Sequence, residues 1–361
     1  MTRFRLFALA ATMARVSPRR ASAPIYGGAV LAAAAGSPVR GVATAPSAAS
    51  GRRSGDPEVI GGGGDGRSRM EWRERVGAYV GLTKPRIIEL LLITTVPAMF
   101  LAQRGLPPLG LILATLVGGT LAAASANTIN CVYDRDIDER MGRTSKRALA
   151  RHLVSAASAL RFGVVLGVAG FVLLWATVNL LSALLATSAI LFYVFVYTMG
   201  LKRRTTQNIV IGGAAGAVPV LVGWSAVTGT VGWPAWIMFA VIFMWTPAHF
   251  WALSLRYEDD YRKAGVPMLP VVRGHKVAAQ QILVYAVLTV VTTLLLLPAA
   301  HMGALYTVAA VLLGAGFVWQ TVQLLRNRTL AQAMRVFGYS NIYLALLFLA
   351  IAADSVVHVA M

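Results

Sequence analysis

Nine apolar runs, each about as long as a bilayer is thick, follow one another along the chain, at roughly residues 86–103, 108–132, 155–175, 180–200, 206–227, 232–255, 276–298, 303–325 and 337–359. At about 1.5 Å per helical residue, roughly 20 such residues cross the hydrocarbon core. With no water there to satisfy backbone N–H and C=O groups, runs of this kind must be helices. The expectation is an all-α, polytopic membrane protein with about nine transmembrane helices. A composition 57% hydrophobic and 13% charged rules out a water-soluble globule, because the apolar surplus is divided into separate runs and does not feed one large core.

The formal charge of +19 could point to nucleic acid, but its placement argues otherwise. Residues 1–55 hold Arg3, Arg5, Arg15, Arg19, Arg20, Arg40, Arg52 and Arg53, many Ala and Ser, and no acid. That is the composition of a mitochondrial transit peptide. Residues 56–75, with Gly61 to Gly64, read as a flexible linker, and 76–361 as the membrane domain. Within that domain Lys and Arg gather in alternate connections. Arg135 to Arg151, Lys202 to Arg204, Arg256 to Lys276 and Arg326 to Arg335 fall on one side, whereas the opposite connections hold only Arg104. The asymmetry predicts that the basic loops face the matrix across the inner membrane. A single cysteine, Cys131, excludes an intrachain disulfide and a thiolate metal cluster.

The second run ends in a polar stretch. Asn130, Asp134 and Asp138 recur every four residues and so share one helix face, from which Asp136 points away. Carboxylates one turn apart repel unless a cation lies between them, and hard oxygens with spare positions for water and phosphate suit Mg²⁺. A second acidic patch, Glu258-Asp259-Asp260, lies on the same predicted side. Lys84, Arg86, Arg143, Arg147, Lys202 and Arg203 surround the two, and metal with fixed cations makes a diphosphate site. Taken singly, each Lys or Arg also suits a topological or lipid-headgroup role.

The Asn130-x-x-x-Asp134-x-x-x-Asp138 motif resembles the hallmark of the UbiA-type intramembrane prenyltransferases. Further stretches are similar to the heme-farnesylating branch of that family: Leu82 to Arg86, Asn208 to Trp224, Trp245 to Trp251 and Asp260 to Val272. The resemblance covers roughly residues 76–355. It implies a helical bundle around a central cavity, and transfer of the farnesyl group of farnesyl diphosphate to a vinyl group of protoheme IX with hydration. The product would serve heme A and cytochrome oxidase biogenesis, with a possible hand-off to heme A synthase. It also implies Mg²⁺ held by Asn130, Asp134 and Asp138 together with Asp259 or Asp260, and catalytic roles for Asn130, Asp134, Asp138 and Asp260. Lys84, Arg86, Arg143, Arg147, Lys202, Arg203, His249 and Tyr261 are the implied substrate contacts. His249 is preferred over His152, His275, His301 and His358 as iron ligand, because it lies in an aromatic helix ahead of the second acidic loop. The family's usual second Asp-x-x-x-Asp is absent, since Arg256 and Ala264 flank Asp260 at that spacing. The sequence leaves open which of the three acids would meet metal.

Three other readings are weighed. A transporter predicts inverted repeats and acids at mid-membrane, and inspection finds no clear repeat. Another prenyl acceptor, such as 4-hydroxybenzoate, would keep the Asn130 motif but leave the His249 segment unexplained. A non-catalytic scaffold would tolerate exchange of Asp134 and Asp138.

Overall fold

The computed structural model describes residues 72–357, apart from the side chains of 86–92. The expected transit peptide, most of the expected linker, the Arg86 side chain and His358 therefore lie outside the described residues. Helix α1 (Trp72–Thr83) already begins inside the stretch expected as linker. It is followed by α2 (Pro85–Gln103), α3 (Leu109–Tyr133), the short α4 (Arg135–Arg140), α5 (Ala156–Thr177) and α6 (Leu180–Leu191). A π-helical segment (Phe192–Leu201) continues α6, and then come α7 (Asn208–Thr228), α8 (Trp233–Arg256), the short α9 (Glu258–Lys263), α10 (Leu269–Ala300), α11 (Ala304–Asn327) and α12 (Leu330–Val357). No strand occurs among the described residues.

Eight helices are long and apolar enough to cross a membrane, counting α6 with its π segment as one, and α2 adds a shorter apolar stretch at Ile93–Gln103. The nine expected runs thus correspond to nine helices. The longer ones outrun the apolar windows because their ends carry polar side chains beyond hydrocarbon depth. In α10 two helical pieces meet at a kink at Gly274, whose φ of 75° lies in the left-handed region that glycine occupies without penalty.

The bundle is apolar on the outside. Leu113, Val117, Val168, Val291, Leu312 and Leu349 are exposed on long helices, as lipid-facing positions must be. Within it α3 packs on α5, α2 on α7, α8 on α10 and α11 on α12, while α12 also touches α2 and α8. With no hydrophobic force between helices in lipid, close backbone approach supplies the cohesion. Gly223 of α7 shows how close: a Cβ there would lie 2.5 Å from the carbonyl oxygen of Thr95 in α2. Gly223→Leu is expected to destabilise the fold by about 3 kcal/mol. Gly216→Ala, whose added Cβ meets nothing within 4 Å, should be neutral. Thermal unfolding in detergent checks both, and equal melting of Gly223→Leu and the unaltered chain would refute so tight a contact.

Candidate active site

Lys84 sits between α1 and α2 in a left-handed conformation, φ 54° and ψ 60°, immediately before Pro85. Its position is fixed from α3: the Asn127 amide donates to the Thr83 carbonyl at 3.0 Å. Lys84 Nζ then donates to Asn130 Oδ1 at 2.8 Å. Burial pushes the Lys84 ammonium below the usual lysine range.

Helix α3 stops at Tyr133, yet the turn-by-turn pairing continues through the break, with Asp134 N on Asn130 O at 2.9 Å and Asp138 N on Asp134 O at 2.8 Å. The four-residue face expected from sequence therefore survives the junction. Asn130 Nδ2 donates to Asp134 Oδ2 at 2.7 Å and to Thr198 Oγ1 at 3.0 Å. Asp134 is fully buried and its Oδ2 pairs closely with Lys202, which follows the π segment. Its other oxygen, Oδ1, has no hydrogen-bond partner, and Arg203 NH2 stands 3.8 Å from it.

Asp138 accepts from Arg147 NH1 at 2.8 and 2.7 Å. Burial works against charge on Arg147 and the Asp138 carboxylate outweighs it, so the guanidinium pKa stands above its ordinary value. Asp136 takes both ends of Arg203 at 2.7 Å each, and those hydrogen bonds hold its carboxyl below the usual range. Three cations thus pair with three carboxylates, and a fourth, Lys84, with the Asn130 amide.

The second acidic patch divides. Asp260 Oδ2 accepts from the Arg143 backbone N–H at 3.2 Å, and Arg143 NH2 reaches the Tyr261 hydroxyl at 3.3 Å, which joins α9 to the loop after α4. Burial raises the Tyr261 phenol pKa. Asp259 is exposed and bonded to Arg262 at 2.7 Å, while Glu258 pairs with Arg262 and, at 2.5 Å, with His275 Nε2. Of the expected metal ligands, Asn130, Asp134 and Asp138 form one cluster and Asp259 and Asp260 belong to the other, and no three acidic, His or Cys side chains converge on a ready metal cage among the described residues. Each carboxylate of the first cluster holds a cation of the chain instead, because unpaired buried charge is costly.

An apolar cavity of about 160 Å³ is walled by α2, α3, α6 with its π segment, and α7, with Thr95, Gly119, Ala123, Tyr193 and Gly216 among its lining. Asn127 also lines it, one helical turn before Asn130, so the cavity ends beside the charged cluster. Small residues on three helices make the space.

His249 lies in α8, two turns before Arg256. Its ring stacks on Trp245, 4.2 Å away, and meets Phe337 at a tilt, 4.6 Å away. The Ser340 hydroxyl donates to Phe337 O at 2.7 Å, so it has no proton for the imidazole and accepts from His249 Nδ1 at 2.8 Å. This network assigns the ring proton to Nδ1 and leaves the Nε2 lone pair available.

Sequence reasoning missed Thr198 and Asn127, and did not foresee that Arg203, expected as fixed positive charge, pairs with Asp136. Thr198 left only a faint signal, one of several hydroxyls in an apolar run, four residues before Lys202.

A transmembrane bundle with an Asn-Asp-Asp face at the polar end of an apolar cavity suits prenyl diphosphate chemistry. The sequence profile of the UbiA prenyltransferase family matches residues 91–350, and the chain belongs to that family. Among its relatives is the protoheme IX farnesyltransferase of Cutibacterium acnes, 56% identical over 299 residues that cover 81% of this chain and 89% of that protein. The protoheme IX farnesyltransferase of Nocardia farcinica is 57% identical over 285 residues, 78% of this chain and 91% of that protein. The fold is also that of digeranylgeranylglyceryl phosphate synthase, with TM-score 0.66, 20% identity, and coverage of 78% of this chain and 99% of that one. A UbiA homologue from Archaeoglobus fulgidus, solved with DMAPP and Mg²⁺, superposes with TM-score 0.56 at 16% identity over 76% of this chain and 99% of that one.

Proposed function

We propose that this chain is a protoheme IX farnesyltransferase acting in the mitochondrial inner membrane, with its charged loops toward the matrix. The observation that carries the reading is the placement of the Asn130–Asp134–Lys202 cluster beside the apolar cavity, so that one site can hold both parts of a prenyl diphosphate. Similarity to the two bacterial farnesyltransferases supports heme as acceptor. The Arg-rich, acid-free residues 1–55 support import, and the one-sided basic loops support the orientation.

In the reaction the farnesyl C1–O bond breaks and diphosphate departs with the electron pair. The heme vinyl carbon bonds to the allylic cation, water adds to the porphyrin-side cation, and a proton is released. Lys84, Arg147 and Lys202 supply fixed positive charge where the leaving group gains negative charge, and the apolar cavity keeps most water from the cation. The open Asp134 Oδ1, a hard buried acceptor, fits a Mg²⁺ site completed by Asp138, Asn130, substrate phosphate oxygens and water, with Asp260 on the adjoining loop. These residues would hold Mg²⁺, which would supply neutralisation of the charge developing on the diphosphate. Asp259, exposed and held by Arg262, is the weakest member of the expected metal set. Tyr261 and Arg143 border the diphosphate end, and Arg86 remains a candidate contact at the start of α2. The His249 Nε2 lone pair is available to heme iron. The product's further use implies a hand-off to heme A synthase.

The test is turnover in membranes holding the full chain, given protoheme, farnesyl diphosphate and Mg²⁺, with pigments weighed by mass spectrometry. Farnesyl-hydroxyethyl heme is the expected product. His249→Ala is expected to raise KM for heme about tenfold and leave that for farnesyl diphosphate unchanged. Prenylation of 4-hydroxybenzoate in its place would overturn the heme assignment.

A further inference from the structure

We infer that Thr198 is a positioning residue that fixes the amide of Asn130 for metal–diphosphate binding, and that the π winding of Phe192–Leu201 exists in this fold to bring it there. The inference deepens the proposed function and rests on its assignment of the Asn130 cluster to metal and diphosphate.

Thr198 is fully buried. Its hydroxyl donates to the Tyr193 carbonyl at 2.8 Å, the carbonyl five residues back that a π turn makes available, and Lys202 N–H reaches Tyr197 O at 2.9 Å over the same interval. With its one proton given to Tyr193, the Thr198 hydroxyl offers only lone pairs to Asn130. The atom facing it must then be the amide nitrogen, which donates at 3.0 Å, and the amide oxygen is turned toward Lys84.

Asp134 Oδ2 accepts from the same nitrogen, but it also carries Lys202, and it belongs to the carboxylate that must rearrange when metal and diphosphate arrive. Thr198 has no such second duty. It keeps the amide oxygen aimed at the ligand side whatever Asp134 does. A π turn inserts one residue into the helical register, and such insertions recur at functional sites. Here the insertion places Thr198 on Asn130 and Lys202 on Asp134 from a single segment.

The test is Mn²⁺ binding to the purified full chain in detergent with inorganic diphosphate, read by electron paramagnetic resonance, for Thr198→Val and Thr198→Ser beside the unaltered chain. Thr198→Val is expected to weaken Mn²⁺ about tenfold, as loss of a group that orients a metal ligand does, and Thr198→Ser to restore binding. Thermal unfolding reports folding in each case, and Thr198→Ala reads the same loss if valine is not accommodated. Unchanged binding by Thr198→Val overturns the inference. So does equal weakening by Val and Ser, which would mark packing as the cause, and so does failure of the unaltered chain to bind Mn²⁺ and diphosphate. If that chain binds them with the expected Val and Ser pattern yet never prenylates heme, the positioning role stands and the acceptor assignment falls.

Discussion

Asp134→Asn is expected to lower farnesyl transfer by about 10³-fold, the largest effect of any single substitution in this chain. The change keeps size and removes charge from the one carboxylate that is fully buried, bonded to Asn130 and paired with Lys202. It also leaves Lys202 facing a neutral amide, and breaking a pair this buried costs on the order of 3 kcal/mol of stability. Folding is read apart from turnover by thermal unfolding, and adding Lys202→Met, which removes the stranded cation, tests the stability cost alone because Lys202 itself serves the diphosphate in the proposed reaction. Recovery of thermal stability without recovery of turnover is the expected pattern. Turnover within tenfold of the unaltered chain in the single variant would remove Asp134 from the reaction.

Ala123→Phe, in the wall of the apolar cavity, should cut kcat/KM for farnesyl diphosphate about 100-fold and that for geranyl diphosphate far less. The added ring occupies space that the distal isoprene units need, while the charged cluster beyond Asn127 is untouched. A preference moved toward the shorter donor is the informative readout. An equal fall for both donors would show that the prenyl chain lies elsewhere.

The helical bundle was legible because bilayer thickness sets run length directly, and the Asn130 face because four-residue spacing follows from helix geometry. Other features left no periodic trace. Leu180–Leu201 is apolar on every side, so nothing in its pattern marks where α winding gives way to π winding or which face Thr198 adopts. The partner of Arg203 was equally hidden, since Asp134 and Asp136 are close in sequence and only the fold decides between them. Glu258, Asp259 and Asp260 are consecutive, yet Glu258 and Asp259 share Arg262 while Asp260 alone turns to Arg143. The orientation of His249 depends on Ser340, which is remote in sequence and has no motif of its own.

Lys84 occupies a backbone conformation in which an L side chain costs about 1 kcal/mol that glycine would not. A chain optimised only for endurance would have glycine at that corner, ahead of Pro85. With the proposed diphosphate role, the lysine there would be a small, permanent concession of robustness to chemistry. Engineering that swaps strained corners for glycine would then gain durability here at the expense of that role.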